Sequence, residues 1–76
     1  MPKLPVLSGR ELIKALRKIG FSPVRQKGSH IILERYGQDG RKGLVVPDHK
    51  EIDKGTLVEI IRQAGLTRDN FLKLLK

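Results

Sequence analysis

The chain contains no cysteine, and its only aromatic residues are two phenylalanines and one tyrosine. Without cysteine, neither a disulfide framework nor thiolate chemistry is available, which favours a reducing, cytoplasmic setting. The longest apolar runs span three residues, so no segment could cross a bilayer or form the apolar part of a signal peptide. The scarcity of aromatic residues argues against recognition of single strands by base stacking.

The chain is short and strongly basic. Its 76 residues carry 16 Lys and Arg against 8 Asp and Glu, a formal net charge of +8. We expect one domain over residues 1–76 with a thin core and a shallow surface site, which suits a polymer or a protein partner. Excess positive charge favours a polyanion, above all nucleic acid. The basic residues form no continuous amphipathic helix, so a membrane surface is disfavoured. A solvated surface that binds nothing is the alternative.

Residues 1–7 are expected to form an extended arm before the first helix. Ser8 and Glu11 have the spacing of a capping box, and the apolar residues that follow recur at helical spacing. Gly20 is predicted to end this helix.

Two further helices are predicted near the carboxyl end. Asp48–Lys54 is expected to be a polar loop, and Thr56 and Glu59 have the spacing of a second capping box. Gly65 is predicted to cap that helix, and Thr67 to begin a short last one.

Between the helices, three strands are predicted at Phe21–Gln26, His30–Tyr36 and Gly43–Val46, with Gly28 marking a turn or bulge. Gly37–Gly40 is expected to be a hairpin turn. Side-chain alternation in the second strand places two sets of residues on opposite faces. The more polar set is His30, Ile32, Glu34 and Tyr36, and the other is Ile31, Leu33 and Arg35.

This order predicts an α+β domain of the α-β-β-β-α type with a further short helix. We expect a three-stranded antiparallel sheet with helices on one face, as in double-stranded-RNA-binding domains. The other face, which carries His30, would be left open.

His30 is the principal candidate for chemistry. It follows Arg25, Lys27, Gly28 and Ser29, so an imidazole that titrates near neutral pH stands among fixed positive charges. Gly28 would let a ligand approach the backbone closely, and Ser29 adds a hydroxyl. A structural, hydrogen-bonded histidine is the alternative.

The other candidates are weaker. His49 is most simply a loop histidine, and no His or Cys spacing points to a metal site. Lys54 and Thr56 open the second helix, whose amino terminus could contact a phosphate. The alternative is that Thr56 only caps the helix and that Lys54 is solvated.

Several stretches taken together resemble the HicA-type toxins, the small RNA-cleaving halves of toxin–antitoxin pairs. They are Ser8–Leu12, Gly20–Phe21, Arg25–His30, Val45–Pro47, Gly55–Leu57 and Ile60–Leu66. The resemblance implies an α-β-β-β-α endoribonuclease that cuts mRNA without a cofactor and uses the histidine of its Gly-Ser-His motif, here His30. It also implies a HicB-type antitoxin that blocks this histidine.

The expected mechanism needs no metal: His30 takes the proton of a ribose 2′-hydroxyl, and Lys27, helped by Arg25, stabilises charge on the phosphate. The chain departs from the family pattern in two places. Ile31 stands where many members have a second histidine, and the loop after Pro47 lacks the usual glycine or asparagine. Two other functions use the same charge and fold, namely a non-catalytic double-stranded-RNA-binding module and a module for an acidic protein partner.

Overall fold

The computed structural model describes residues 3–38 and 40–75 and has the predicted order of elements. These are α1 (Gly9–Arg17), β1 (Ser22–Lys27), β2 (His30–Gly37), β3 (Gly40–Pro47), α2 (Lys54–Gln63) and α3 (Arg68–Leu74). The strands form one antiparallel sheet in the order β1-β2-β3. The predicted α+β class and α-β-β-β-α order are therefore confirmed.

The helices cover one face of the sheet, as the alternation of β2 predicts. Ile31 pairs with Val46, and Leu33 pairs with Leu44, so these four buried side chains share a face. They join a single core with buried residues of all three helices, among them Leu12, Leu16, Leu57, Ile60 and Phe71. Burial of each such side chain stabilises the fold by about 1.5–3 kcal/mol. The opposite face, with His30, is open.

Both ends of α1 lie where the sequence predicts them. The Ser8 hydroxyl accepts from the Glu11 amide at 3.1 Å, and the Glu11 carboxylate accepts from the Ser8 amide at 2.9 Å, which confirms the capping box. Gly20 has φ of 99°, the left-handed conformation of a glycine cap. Phe21 was expected to begin the first strand, but its amide donates to Leu16 of α1. It is therefore a buried residue that precedes β1.

β2 and β3 extend further toward their connecting turn than the sequence predicts. β2 and β3 pair as far as Gly37 opposite Gly40, so β3 begins three residues before the expected Gly43. Residues 40–42 are a glycine and two basic residues, and glycine and lysine have low strand propensity. Backbone pairing with β2 nevertheless extends the strand through them as far as the turn. Asp39 of the predicted turn lies outside the described residues.

The predicted capping box of the second helix is wrong. Asp53 is the N-cap, and its carboxylate accepts from the Thr56 amide at 3.1 Å and from the Thr56 hydroxyl at 2.7 Å. Glu59 instead bonds Arg62 and Gln63. Aspartate is as good a cap as threonine, and its negative charge also interacts favourably with the positive end of the helix dipole.

The other two predicted boundaries near the carboxyl end are confirmed. Gly65, with φ of 79°, follows α2, and its amide donates to Arg62. Thr67 caps α3 by accepting from the Asn70 amide at 3.1 Å.

The described part of the N-terminal arm is anchored at its end. Residues 3–7 form neither helix nor strand, and Leu7 is buried. The Leu7 carbonyl accepts from the Ile52 amide at 2.8 Å. Met1 and Pro2 of the predicted arm lie outside the described residues. In the described part of the chain, no helix is long and apolar enough to cross a membrane.

Gly9 brings the start of α1 against the end of β3. Its amide donates to the His49 carbonyl at 2.9 Å. A β-carbon at this position would lie 2.1 Å from the Pro47 carbonyl oxygen and 3.1 Å from the Asp48 α-carbon. Because both neighbours are backbone atoms, no side-chain movement could relieve the contact. Only glycine permits this approach.

Gly9→Ala should therefore lower the free energy of unfolding by about 1–3 kcal/mol, the usual cost of overpacking. Gly43→Ala is the matched control, since its β-carbon would meet nothing closer than 3.8 Å. Urea unfolding followed by circular dichroism measures both. Equal stability of the two variants would contradict the close approach.

Candidate active site

A two-residue turn positions His30 at the start of β2. Lys27 and His30 are paired, so Gly28 and Ser29 form the whole loop of the β1–β2 hairpin. Gly28 has φ of 59°, and no residue other than glycine has a positive φ in the described chain. Glycine at the first position is the pattern of a type II′ turn, whose twist suits a hairpin. The Gln26 side-chain amide donates to the Gly28 carbonyl at 2.9 Å and supports the turn.

Three of the predicted site residues share the open face of the sheet. Lys27 lies directly opposite His30, and Arg25 lies opposite Ile32, the next residue of β2 on that face. Directly opposed β-carbons in an antiparallel pair are about 4.5–5.5 Å apart. Lys27, Arg25 and His30 are all exposed. The imidazole therefore stands beside two cations on a surface that a large ligand can reach.

A bulge in β1 lies just before Arg25. Pro23 pairs with Leu33, but Arg25 pairs with Ile32, so Val24 is an extra residue. The two-residue turn already fixes Gln26 opposite Ile31 and Arg25 opposite Ile32, so the bulge changes only the part of β1 that precedes it. Pro23 lies opposite Leu33 on the helix side, whereas regular pairing would place it opposite Glu34 on the open face. Such bulges are frequent near functional sites, where they redirect side chains. The sequence pattern predicts an irregularity at Gly28 but does not reveal this bulge at Val24.

The two cations next to His30 are not neutralised by acidic neighbours. Within residues 3–38 and 40–75, ion pairs join Arg10 to Asp48, Arg41 to Glu34 and Arg62 to Glu59, and none involves Arg25 or Lys27. Further along the open face, the Tyr36 hydroxyl donates to Glu34 at 2.9 Å. That bond and the nearby negative charge raise the pKa of Tyr36. On the open face, the cations without a carboxylate partner therefore lie at the His30 end of the described sheet, and Arg41 at the other end is paired with Glu34.

Asp48 connects the turn to the rest of the fold. Its amide donates to the Ser29 carbonyl at 2.6 Å, and its carboxylate pairs with Arg10 Nε at 3.3 Å. The sequence pattern predicts only that Asp48 lies in a polar loop, and it indicates no role for Arg10. The two residues are 38 positions apart, and no local pattern links them.

The remaining predicted residues lie at the start of α2. Among the described residues, no hydrogen bond or ion pair joins Lys54 or Thr56 to the β1–β2 turn. The Thr56 amide and hydroxyl are already bonded to Asp53, so a phosphate would have to displace a carboxylate. Phosphate binding by Lys54 and Thr56 stays a prediction.

His49 lies near the start of α2 as well. It contributes, as the smallest of several causes, to the lowered pKa of Asp53. In the part of the chain that the structure describes, no group of three or more His, Cys, Asp or Glu side chains could hold a metal ion.

Comparison with known families identifies the chain. The family model described as the HicA toxin of bacterial toxin–antitoxin systems matches residues 9–66, more than half of the 76 residues. The chain belongs to the HicA toxin family. As a HicA toxin, it is one half of a toxin–antitoxin system, and an antitoxin partner is implied. The match includes the bulge, the Gly28–Ser29 turn and His30. No curated protein matches the HicA chain in sequence.

The Asp53 cap makes part of the stability of this HicA chain dependent on pH. Bonds from the Thr56 hydroxyl and then the Thr56 amide are the main causes that lower the pKa of Asp53. A carboxyl whose pKa is lower in the folded state stabilises the fold above its unfolded pKa of about 4. This stabilisation is lost as the pH falls through the folded pKa.

Asp53→Asn keeps an acceptor for the Thr56 amide but cannot ionise. The parent should therefore melt at a higher temperature than the variant at pH 7, and the difference should shrink as the pH falls below about 4 and through the lowered pKa of Asp53. Thermal melts by circular dichroism at several pH values measure it. A difference that does not vary with pH would show that the charge of Asp53 is not involved.

Proposed function

We propose that this HicA toxin is a metal-independent endoribonuclease that cleaves mRNA, with His30 as general acid/base. The observation that carries the proposal is the cross-strand pair of His30 and Lys27 on an exposed sheet face, with Arg25 one pair further along. A base flanked by cations suits a phosphodiester. Because the face is open, a polymer can lie across it.

In the proposed reaction, His30 accepts the proton of a ribose 2′-hydroxyl. The 2′-oxygen attacks the adjacent phosphorus, and the bond from phosphorus to the 5′-oxygen breaks. The departing oxygen takes a proton from water, and His30 returns its own proton to the hydroxide that is left. The products are a 2′,3′-cyclic phosphate and a 5′-hydroxyl. General acid–base help of this kind contributes about 10² to 10⁴-fold. Since the nucleophile belongs to the substrate, no metal-bound water is needed.

Lys27 is assigned to the negative charge that develops on the phosphate oxygens, with Arg25 as a helper. Both are exposed and lack a carboxylate partner in the described chain, so a phosphate does not compete with an internal ion pair. Nothing lies within 4 Å of where a β-carbon of Gly28 would be, which leaves room for the RNA backbone. The Ser29 hydroxyl, beside this space, is assigned to a phosphate oxygen.

The antitoxin partner is proposed to be of the HicB type and to cover the same face. Val24 and Val45 are 51% and 49% exposed, and both adjoin the half-buried Ile32, which pairs with Val45 and Arg25. Exposed apolar side chains grouped in this way are typical of protein interaction sites. A partner seated on this apolar strip would exclude RNA from His30.

A non-catalytic double-stranded-RNA-binding module is the second candidate, since the α-β-β-β-α order and the basic surface fit it equally. Such a module would bind RNA with an affinity that falls steeply with salt and would not cut it.

His30→Ala should reduce cleavage of an mRNA transcript in EDTA by about 10²-fold or more. His49→Ala is the matched control, since it removes the other histidine of the chain, and it should cut at the parental rate because the proposed reaction assigns no step to His49. Gel analysis of timed digests measures all three proteins. If His30→Ala retains the parental rate, the histidine mechanism is wrong. If the parent binds RNA without cutting it, the binding module is the correct function.

A further inference from the structure

A second basic surface lies on the other side of β1 from His30. A groove of about 390 Å³ runs between α1 and β1 on the helix side of the sheet. Its floor contains the buried Ile13 and Ile31. The residues around its rim are Arg10, Lys14, Arg17, Pro23 and Gln26. The volume lies at the lower end of the 300–1,000 Å³ or so typical of ligand sites, which is room for about one nucleotide.

The charge of the α1–β1 groove is of one sign. Arg10, Lys14 and Arg17 are spaced so that they follow one side of α1 over about 10 Å of helix rise. Lys14 and Arg17 form no ion pair within the described residues, and no carboxylate lines the groove. A row of cations above an apolar floor suits a strand whose phosphates face outward and whose base or sugar faces the floor.

The groove adjoins the candidate active site at the β1–β2 turn. Gln26 lines the groove and donates to the Gly28 carbonyl at 2.9 Å. Arg10 lines it too and pairs with Asp48, whose amide holds Ser29 at 2.6 Å. β1 is an edge strand, and all six of its residues are exposed. Cations therefore flank this edge on both faces, and only a polymer could contact both sets at once.

We propose that the α1–β1 groove binds the RNA strand on one side of the cut, with Lys14 and Arg17 contacting its phosphates. This inference rests on the proposed ribonuclease function. The strand passes over the edge of β1 beside the Gly28–Ser29 turn, so that a phosphate reaches His30 while the chain beyond it lies in the groove. Lys14 and Arg17 are binding residues and take no part in the chemical step.

The test is the double variant Lys14→Gln with Arg17→Gln. The matched control is Lys3→Gln with Lys73→Gln, which removes the same two charges from exposed residues elsewhere. Binding of single-stranded oligoribonucleotides is measured in the His30→Ala background at several salt concentrations. Loss of two phosphate contacts should make the slope of log K against log salt shallower by about 1.4. The control should keep the parental slope.

The two double variants are also made in the parent chain, which keeps His30. Their cleavage rates separate an effect on RNA binding from an effect on the chemical step. For long RNA, the groove variant should raise KM about tenfold and leave kcat unchanged. A dinucleotide bound at His30 is too short to reach the groove. The groove variant should therefore cut a dinucleotide with the same KM and kcat as the parent. Thermal melts check that all variants are folded.

If the groove variant binds and cuts long RNA as the parent does, the inference is wrong, although the ribonuclease proposal stands. If both double variants weaken binding equally, only net charge matters, and the inference is also wrong. If the groove variant binds RNA as the parent does and loses only the binding of an acidic antitoxin, the inference is wrong as well. If the parent neither binds nor cuts RNA, the proposed function itself fails.

Discussion

The pairing of Lys27 with His30 across the first hairpin is the constraint on which the candidate site depends. A two-residue turn leaves no freedom in this register, because the residues that flank it must pair. Side-chain alternation from this pair then places Arg25 opposite Ile32, so that both cations face the same way as His30. The extra residue Val24 lies beyond them and returns Pro23 to the helix side of the sheet.

The rest of the fold holds this hairpin in place. The core fixes one face of the sheet against the helices, and this leaves His30 on the only sheet face that is open in the described chain. Gly9 lets α1 approach the end of β3 closely, next to the Asp48 amide that bonds Ser29. The fold of this HicA toxin therefore supports the β1–β2 turn from the helix side, and the face that carries His30 stays exposed.

Much of this architecture could be predicted from local patterns. The order of elements, the Ser8 cap, the Gly20 stop and the exposure of His30 all follow from periodicity and capping chemistry, which act over a few residues. What the sequence did not reveal depends on distant partners. The Val24 bulge is set by pairing with β2, and the bond from Asp48 to Ser29 joins segments that only the folded sheet brings together. The sequence pattern predicts Thr56 as the cap of α2, whereas Asp53 caps it. Both residues are good caps and lie three positions apart, so the local pattern does not distinguish them.

The proposed mechanism depends on a hydroxyl of the RNA itself, which His30 activates while Lys27 stabilises charge on the phosphate. It is tested most directly with an oligoribonucleotide that carries a single 2′-deoxynucleotide at a mapped cut, compared with its all-ribose counterpart by mass spectrometry of the products. The account predicts that the all-ribose strand yields a 2′,3′-cyclic phosphate and a 5′-hydroxyl, and that the deoxy position is not cut. Cleavage at the deoxy position, or a 5′-phosphate on the product, would contradict it.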